Sequence, residues 1–216
     1  MTDLPDMRKP KQDRSRVALE RLMSASREIL HEGTFEMLTI AEISKRSGVS
    51  VGSIYARFSG KEELFVAVMI EVMQGLDAEW LQLTTDQRER HLPFQQRVHA
   101  LIEIQAEYLR RHAGMLRPFM ARADDERIAN IGKASFLKNE STFTELLLDS
   151  ETEIRHPDAE KAVKFCFTLS YAALARFLGL GSASDAAGEG DWGQLKQELG
   201  VMCLSYLMSP VLVAQQ

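Results

Sequence analysis

The sequence predicts an all-α fold, with a small N-terminal three-helix domain followed by a larger helical one, and three observations carry this expectation. Apolar residues recur every three to four positions in nearly every long segment. Strand-like alternation is scarce, and Pro and Gly fall between the periodic segments. With 45% hydrophobic and 26% charged residues among 216, the composition is that of a folded chain with a real core, which excludes disordered and fibrous classes.

Taken in order, the first helix is expected from about Asp13 to Glu32, with Ala18, Leu22, Ala25 and Ile29 on one stripe and Gly33 as its stop. Thr39-Ile40-Ala41-Glu42 reads as a capping box, in which hydroxyl and carboxylate satisfy each other's backbone N–H at a helix start. The short helix it opens ends near Arg46, Ser47-Gly48-Val49 makes the break, and Ser50 caps a segment running to Phe58. Ser59-Gly60-Lys61-Glu62 is a second capping box, opening a long helix to about Leu83. Further helices are expected at about 94–112, 115–122, 124–132, 134–149, 157–179 and 191–208, with Pro93, Gly114, Pro157 and Pro210 at ends. Ser182 to Gly190 is poor in apolar anchors and reads as a mobile loop.

The segment Ile40 to Leu64 has the layout of a helix-turn-helix. Ile40, Ala41, Ile43 and Val49 can pack the pair, and Ile54 and Phe58 can anchor the second helix, which leaves its other face free to enter a major groove. Gly48, Val49, Ser50, Gly52, Ile54, Tyr55, Phe58, Lys61, Glu62 and Leu64, preceded by Gly33, Phe35 and Thr39, closely resemble the signature of the tetracycline-repressor (TetR) family. This resemblance covers roughly the first third of the chain. Beyond it the likeness is one of helical character and length.

The resemblance implies a homodimeric, sequence-specific transcription regulator, most simply a repressor relieved by a small molecule, acting on double-stranded operator DNA. It divides the chain into a flexible basic arm at 1–12, a helix-turn-helix domain at 13–60 and an effector-binding and dimerisation domain at 61–216. Carried over by position, Thr39 and Tyr55 hold phosphate oxygens, and Lys61 adds its ammonium and a backbone N–H. Gly52 permits close approach to base edges, with Ser50, Val51, Ser53 and Ala56 as its neighbours. Arg57 stands where the family usually has histidine, as either a phosphate contact or a bidentate guanine contact. The plainer alternatives are that Thr39 only caps, Tyr55 is half-buried, Lys61 is solvated, and Arg8, Lys9, Lys11, Arg14 and Arg16 form a solvated tail rather than an arm along DNA.

For the larger domain the family implies a dimer through the last two helices. Phe165, Leu169, Ala173 and Phe177 form one candidate stripe and Leu195, Leu199, Met202 and Tyr206 another, with intrachain core as the competing account. Candidate walls of an effector pocket are Tyr108, Met115, Phe119, Met120, Phe136, Phe143 and Phe167, and the same residues also suit plain core. A dimerisation-only or protein-controlled C-terminal domain is the alternative.

Charge supports the division. Up to Lys61 there are 11 Lys and Arg against 8 Asp and Glu, and beyond it 15 against 23, so the first part turns a positive balance toward a polyanion. Asp124-Asp125-Glu126 reads as a helix start, Cys166 and Cys203 as buried core residues, and the five histidines have no metal-ligand spacing. Neither a metal nor a cofactor is expected, and the absence of GxSxG, Walker and GxGxxG motifs argues against an enzyme. No stretch approaches the ~18 apolar residues of a membrane span and Met1 to Lys11 is polar, so a cytoplasmic protein without membrane attachment is expected.

Overall fold

The computed structural model describes residues 9–149, 153–181 and 187–210, and among these every regular element is helical. Two compact units divide between Glu71 and Val72. The first holds α1 (Lys9–Glu32), a 3₁₀ turn (Phe35–Met37), α2 (Ile40–Ser47), α3 (Val51–Tyr55) and the start of α4 (Lys61–Glu89). The second holds the rest of α4 with α5 (Phe94–Met120), α6 (Glu126–Leu148), α7 (Ala159–Phe177) and α8 (Trp192–Leu207).

The first unit is built on the stripe read from α1. Leu22, Ala25 and Ile29 are buried together with Leu38, Ile43, Val49, Ile54, Leu64, Phe65 and Val68, whereas Ala18 is only half-buried. Each fully buried Leu, Ile, Val or Phe contributes about 1.5–3 kcal/mol, which is what helices as short as α2 and α3 depend on. Phe35 meets Phe65 edge-on, with centroids 4.8 Å apart. Arg46 donates to Glu42 at 2.8 Å and to Glu32 at 2.7 Å, tying α2 to the end of α1, and Arg27 pairs with Glu71.

Several boundaries differ from the sequence expectation. Helix α1 begins at Lys9, so residues 9–12, read as the end of a flexible arm, continue the helix. Helix α3 stops at Tyr55 rather than Phe58. The first capping box is half-made: Thr39 Oγ1 accepts from the Glu42 N–H at 3.2 Å, but the Glu42 carboxylate turns to Arg46, and the Thr39 N–H donates to the Met37 carbonyl. At the second, α4 starts at Lys61, so Gly60 rather than Ser59 precedes the first helical residue.

The expected breaks at Gly114 and near residue 133 do not occur. One helix runs through Gly114 and Pro118, because the buried series Ala106, Leu109, Ala113, Leu116 and Phe119 continues past both. A helical glycine costs about 1 kcal/mol relative to alanine, less than one such buried side chain returns. Helix α6 likewise runs unbroken through Gly132, its start capped by Asp125, whose carboxylate accepts from the Arg127 N–H at 2.9 Å. Much of the proposed loop, residues 182–186, lies outside the described residues, as do Met1 to Arg8. Among the described residues no helix is long and apolar enough to cross a membrane.

In the second unit α5 is the central helix, packed on α6, α7 and α8. Its one buried amide, Gln105, donates to the Phe167 carbonyl at 3.3 Å and accepts from the Ser170 hydroxyl at 2.5 Å, which meets the hydrogen-bonding demand of an otherwise apolar seam. Gly200 lets α8 approach α5 closely, since a Cβ there would overlap the His99 ring. At the half-buried edge of this seam Lys196 donates to Glu103 and Glu107, both at 2.7 Å, and the Trp192 indole donates to Glu107 at 3.0 Å. Burial opposes ionisation of Glu107, but the hydrogen bonds from Lys196, Trp192 and Arg110 outweigh it and hold the carboxyl at about 2.

Two outcomes are expected. Gly200→Ala lowers unfolding free energy by about 1–3 kcal/mol through overpacking, and His99→Ala in the same chain restores part of the loss, as measured by urea denaturation. A carboxyl whose folded pKa is depressed stabilises above its unfolded value and loses that contribution as pH falls toward the folded one. The stability difference between the parent and Glu107→Gln should therefore be constant above pH 5 and shrink from about pH 4.5 toward pH 2.

Candidate nucleic-acid interface

The chain enters this surface through Gly48, which ends α2 with φ 67° and ψ 15°, a left-handed conformation that side chains with a Cβ rarely adopt. Serines hold the turn on either side: Ser44 Oγ donates to the Val49 carbonyl at 2.7 Å, and Ser47 Oγ accepts from the Val49 N–H at 3.1 Å. Ser50 then caps α3, its Oγ accepting from the Ser53 N–H at 3.2 Å and donating to Ser53 Oγ at 2.9 Å. Both the glycine stop and the serine cap were legible in the sequence. Ile54 is fully buried, so α3 is pinned to the unit by one face and turns the other outward.

That outward face is apolar and open. Val51 is 43% exposed and Tyr55 55%, Gly52 and Ala56 are exposed beside them, and a Cβ built on Gly52 would meet nothing within 4 Å. Packing inside the chain therefore gives no reason for a glycine at 52, which costs about 1 kcal/mol in a helix. Thr39 is exposed at the start of α2, capping it. Lys61 is half-buried, with Nζ 4.1 Å above the centre of the Phe35 ring, a cation–π contact that fixes its stem. Arg57 is placed differently from either expected role: Nη1 donates to the Ser53 carbonyl at 2.9 Å and Nη2 to the Ser15 hydroxyl at 3.0 Å.

Residues 22–68 match the sequence profile of the bacterial regulatory proteins of the tetR family. The chain carries the tetR-family N-terminal domain. Solved structures extend the likeness to the fold. A protein described as a TetR-family transcriptional regulator from Mesorhizobium loti MAFF303099 superposes with TM-score 0.63 at 20% identity, over 90% of this chain and 96% of that one. A transcriptional regulator of the TerR/AcrR family from Aquifex aeolicus VF5 gives 0.57 at 18%, over 86% and 96%. The fatty acid degradation regulator FadR from Bacillus halodurans gives 0.60 at 15%, over 86% and 97%. No curated protein matches the sequence.

The second unit of this tetR-family fold separates the remaining candidates. Tyr108, Phe136, Phe143 and Phe167 join one aromatic cluster with Trp80 and Tyr171, centroid distances running from 5.1 Å for Phe136 and Tyr171 to 6.3 Å for Phe167 and Tyr171. Met120 packs against the edge of the same core, Met115 is half-buried, and Phe119 is buried without joining it. Trp80 and Tyr171 escaped the sequence reading because they sit among residues that also suit plain core. Beside Trp80 a groove of about 390 Å³ opens between α4 and α6, lined by Asp77, Ala78, Leu81, Lys138, Asn139, Ser141 and Thr142. Asn139 Oδ1 there is shielded from solvent and has no hydrogen-bond partner among the described residues, and burial pushes the Tyr108 hydroxyl pKa up.

On α7 and α8, Phe165 is 52% exposed and Met202 51%, joined by Val201 at 47%, which the periodicity had not singled out. Leu169, Ala173, Phe177, Leu195 and Tyr206 are half-buried, and Phe177 packs on Trp192. Leu199 lies in the core of the chain itself. Cys166 and Cys203 are both buried, each thiol facing the other's carbonyl.

Gly48→Ala should destabilise the first unit by about 1–2 kcal/mol through the left-handed φ. Thermal unfolding followed by circular dichroism checks this, and an unchanged melting temperature would show that the turn can refold around alanine.

Proposed function

We propose that the chain is a homodimeric, sequence-specific transcription repressor, whose α3 helices enter successive major grooves of a pseudo-palindromic operator ~34 Å apart, and that a small molecule held in the second unit relieves it. Residues 13–60 form the DNA-binding domain in this reading, and 61–216 the effector and dimerisation domain. The observation that carries it is the outward face of α3: an exposed glycine with open space above it, between exposed Val51 and Tyr55, on a helix fixed from behind by Ile54. A helix presented in this way can approach base edges closely, while Thr39, Tyr55 and the amino end of α4 at Lys61 meet flanking phosphates.

The effector reading rests on the α4–α6 groove, whose volume falls in the range of small-molecule sites, with Trp80 joining it to the aromatic cluster. The unpaired Asn139 Oδ1 favours a ligand with an apolar body and a hydrogen-bond donor. Exposed Phe165, Val201 and Met202 supply an apolar patch for self-association. An effector bound more tightly by a spacing of the two α3 helices that DNA does not accept lowers operator affinity by the coupling free energy, typically ~1–3 kcal/mol.

Operator selection from random duplexes tests this. The parent chain should enrich a palindrome; Gly52→Leu should abolish binding without lowering the melting temperature; and Lys61→Ala should make the dependence of log affinity on log salt shallower by ~1. Compounds that dissociate the selected operator should act weakly or not at all on Trp80→Ala. Enrichment of no sequence, with weak binding indifferent to Gly52→Leu, overturns the DNA reading. A palindrome without any dissociating compound leaves a dimerisation-only second unit.

A further inference from the structure

Beside the outward face of α3, the first unit has a second basic surface that the family-derived residues do not include. Arg14, Val17, Ala18 and Arg21 lie three to four residues apart on one face of α1, and with Gly48, Val49, Ser50 and Ser53 they line a groove of about 450 Å³ between α1 and the beginning of α3. The two arginines are exposed, and neither has a carboxylate partner among the described residues. Their neighbours differ: Arg16 pairs with Glu20, Arg27 with Glu71, and Arg46 with Glu42 and Glu32. The acidic residues of the unit thus neutralise the arginines around the groove and leave its two lining guanidiniums uncompensated. Ser53 Oγ accepts from Ser50 and keeps its own proton to donate.

Arg57 holds this groove together from its far end. Its guanidinium reaches the Ser53 carbonyl on α3 and the Ser15 hydroxyl on α1, one turn from both ends of the basic stripe, so it bridges the two walls. A guanidinium committed in this way has turned its planar fork onto the protein instead of toward a base or a phosphate.

We infer that the groove between α1 and α3 seats the sugar-phosphate backbone of the bound duplex, with Arg14 and Arg21 neutralising its phosphates, and that Arg57 is a positioning residue that clamps α1 to α3 rather than a reader of sequence. This rests on the DNA-binding reading above. It adds a backbone contact that is independent of base identity, fixed at a set distance from the recognition face because one side chain spans the two helices.

The test is salt-dependent binding of the full chain to its selected operator and to an unrelated duplex. Arg14→Ala combined with Arg21→Ala should weaken both duplexes by a similar factor, tenfold or more at about 0.1 M salt, and make the salt slope shallower by ~1.8, at ~0.9 per phosphate contact. Arg14→Lys with Arg21→Lys should retain most of the slope. Arg57→Met should weaken binding with the selected base preferences unchanged, and should cost little more when added to the Arg14, Arg21 double variant, since the clamp acts through those residues. Melting curves confirm that all variants fold. Parent-level affinity and slope in the double variant overturn the groove; relaxed preference at one operator position in Arg57→Met overturns the clamp and makes Arg57 a base contact. Failure of the parent to bind any duplex is the failure of the DNA reading itself, distinct from either.

Discussion

A helix of five residues cannot hold itself together in water. Nucleation of the first turn is unfavourable, and α3 has too few internal hydrogen bonds to offset it. The helix exists because three external restraints meet on it: the Ser50 cap at its start, the left-handed Gly48 that delivers the chain at the right angle, and Ile54 driven into the core of the first unit. This dependence is also what makes the outward face free. Since every restraint acts from behind or from the ends, Val51, Gly52, Tyr55 and Ala56 carry no structural duty, and their identities can answer to whatever docks there.

Charge in the first unit follows the same division between holding and presenting. Glu20, Glu32, Glu42 and Glu71 each take up an arginine, and Phe35 takes up the Lys61 ammonium. Surface pairs of this kind contribute only ~0–1 kcal/mol each, so their larger effect is on the field, which they leave concentrated at Arg14 and Arg21. The second unit, by contrast, buries its polar groups in matched sets, such as Gln105 with Ser170 and Lys196 with Glu103 and Glu107. Asn139 Oδ1 departs from that habit, and it does so beside a groove.

The aromatic cluster of the second unit shows why site and core were hard to separate by pattern. Tyr108, Phe136, Phe143 and Phe167 have the helical spacing of core residues, and they are core residues. What distinguishes them is that they converge from three helices on Trp80, which borders the groove. Convergence across α4, α5, α6 and α7 is a property of the packed unit and leaves no trace in the spacing of any single helix.

The sequence alone determined the all-α class, the helix-turn-helix with its glycine stop and serine cap, and the outward residues of α3, because each depends on interactions within a few residues of chain. Local signals misled where long-range burial outweighed them. Helix α5 runs through Gly114 and Pro118, and α6 through Gly132, since the apolar stripes on either side pack continuously. Only the tertiary structure decided which apolar residues of α7 and α8 face outward, assigning Leu199 to the core and Val201 to the surface. It also decided where Arg57 points. An arginine has enough reach to serve base, phosphate or protein, and Ser15, 42 residues earlier in the chain, is the partner that the fold places within its grasp.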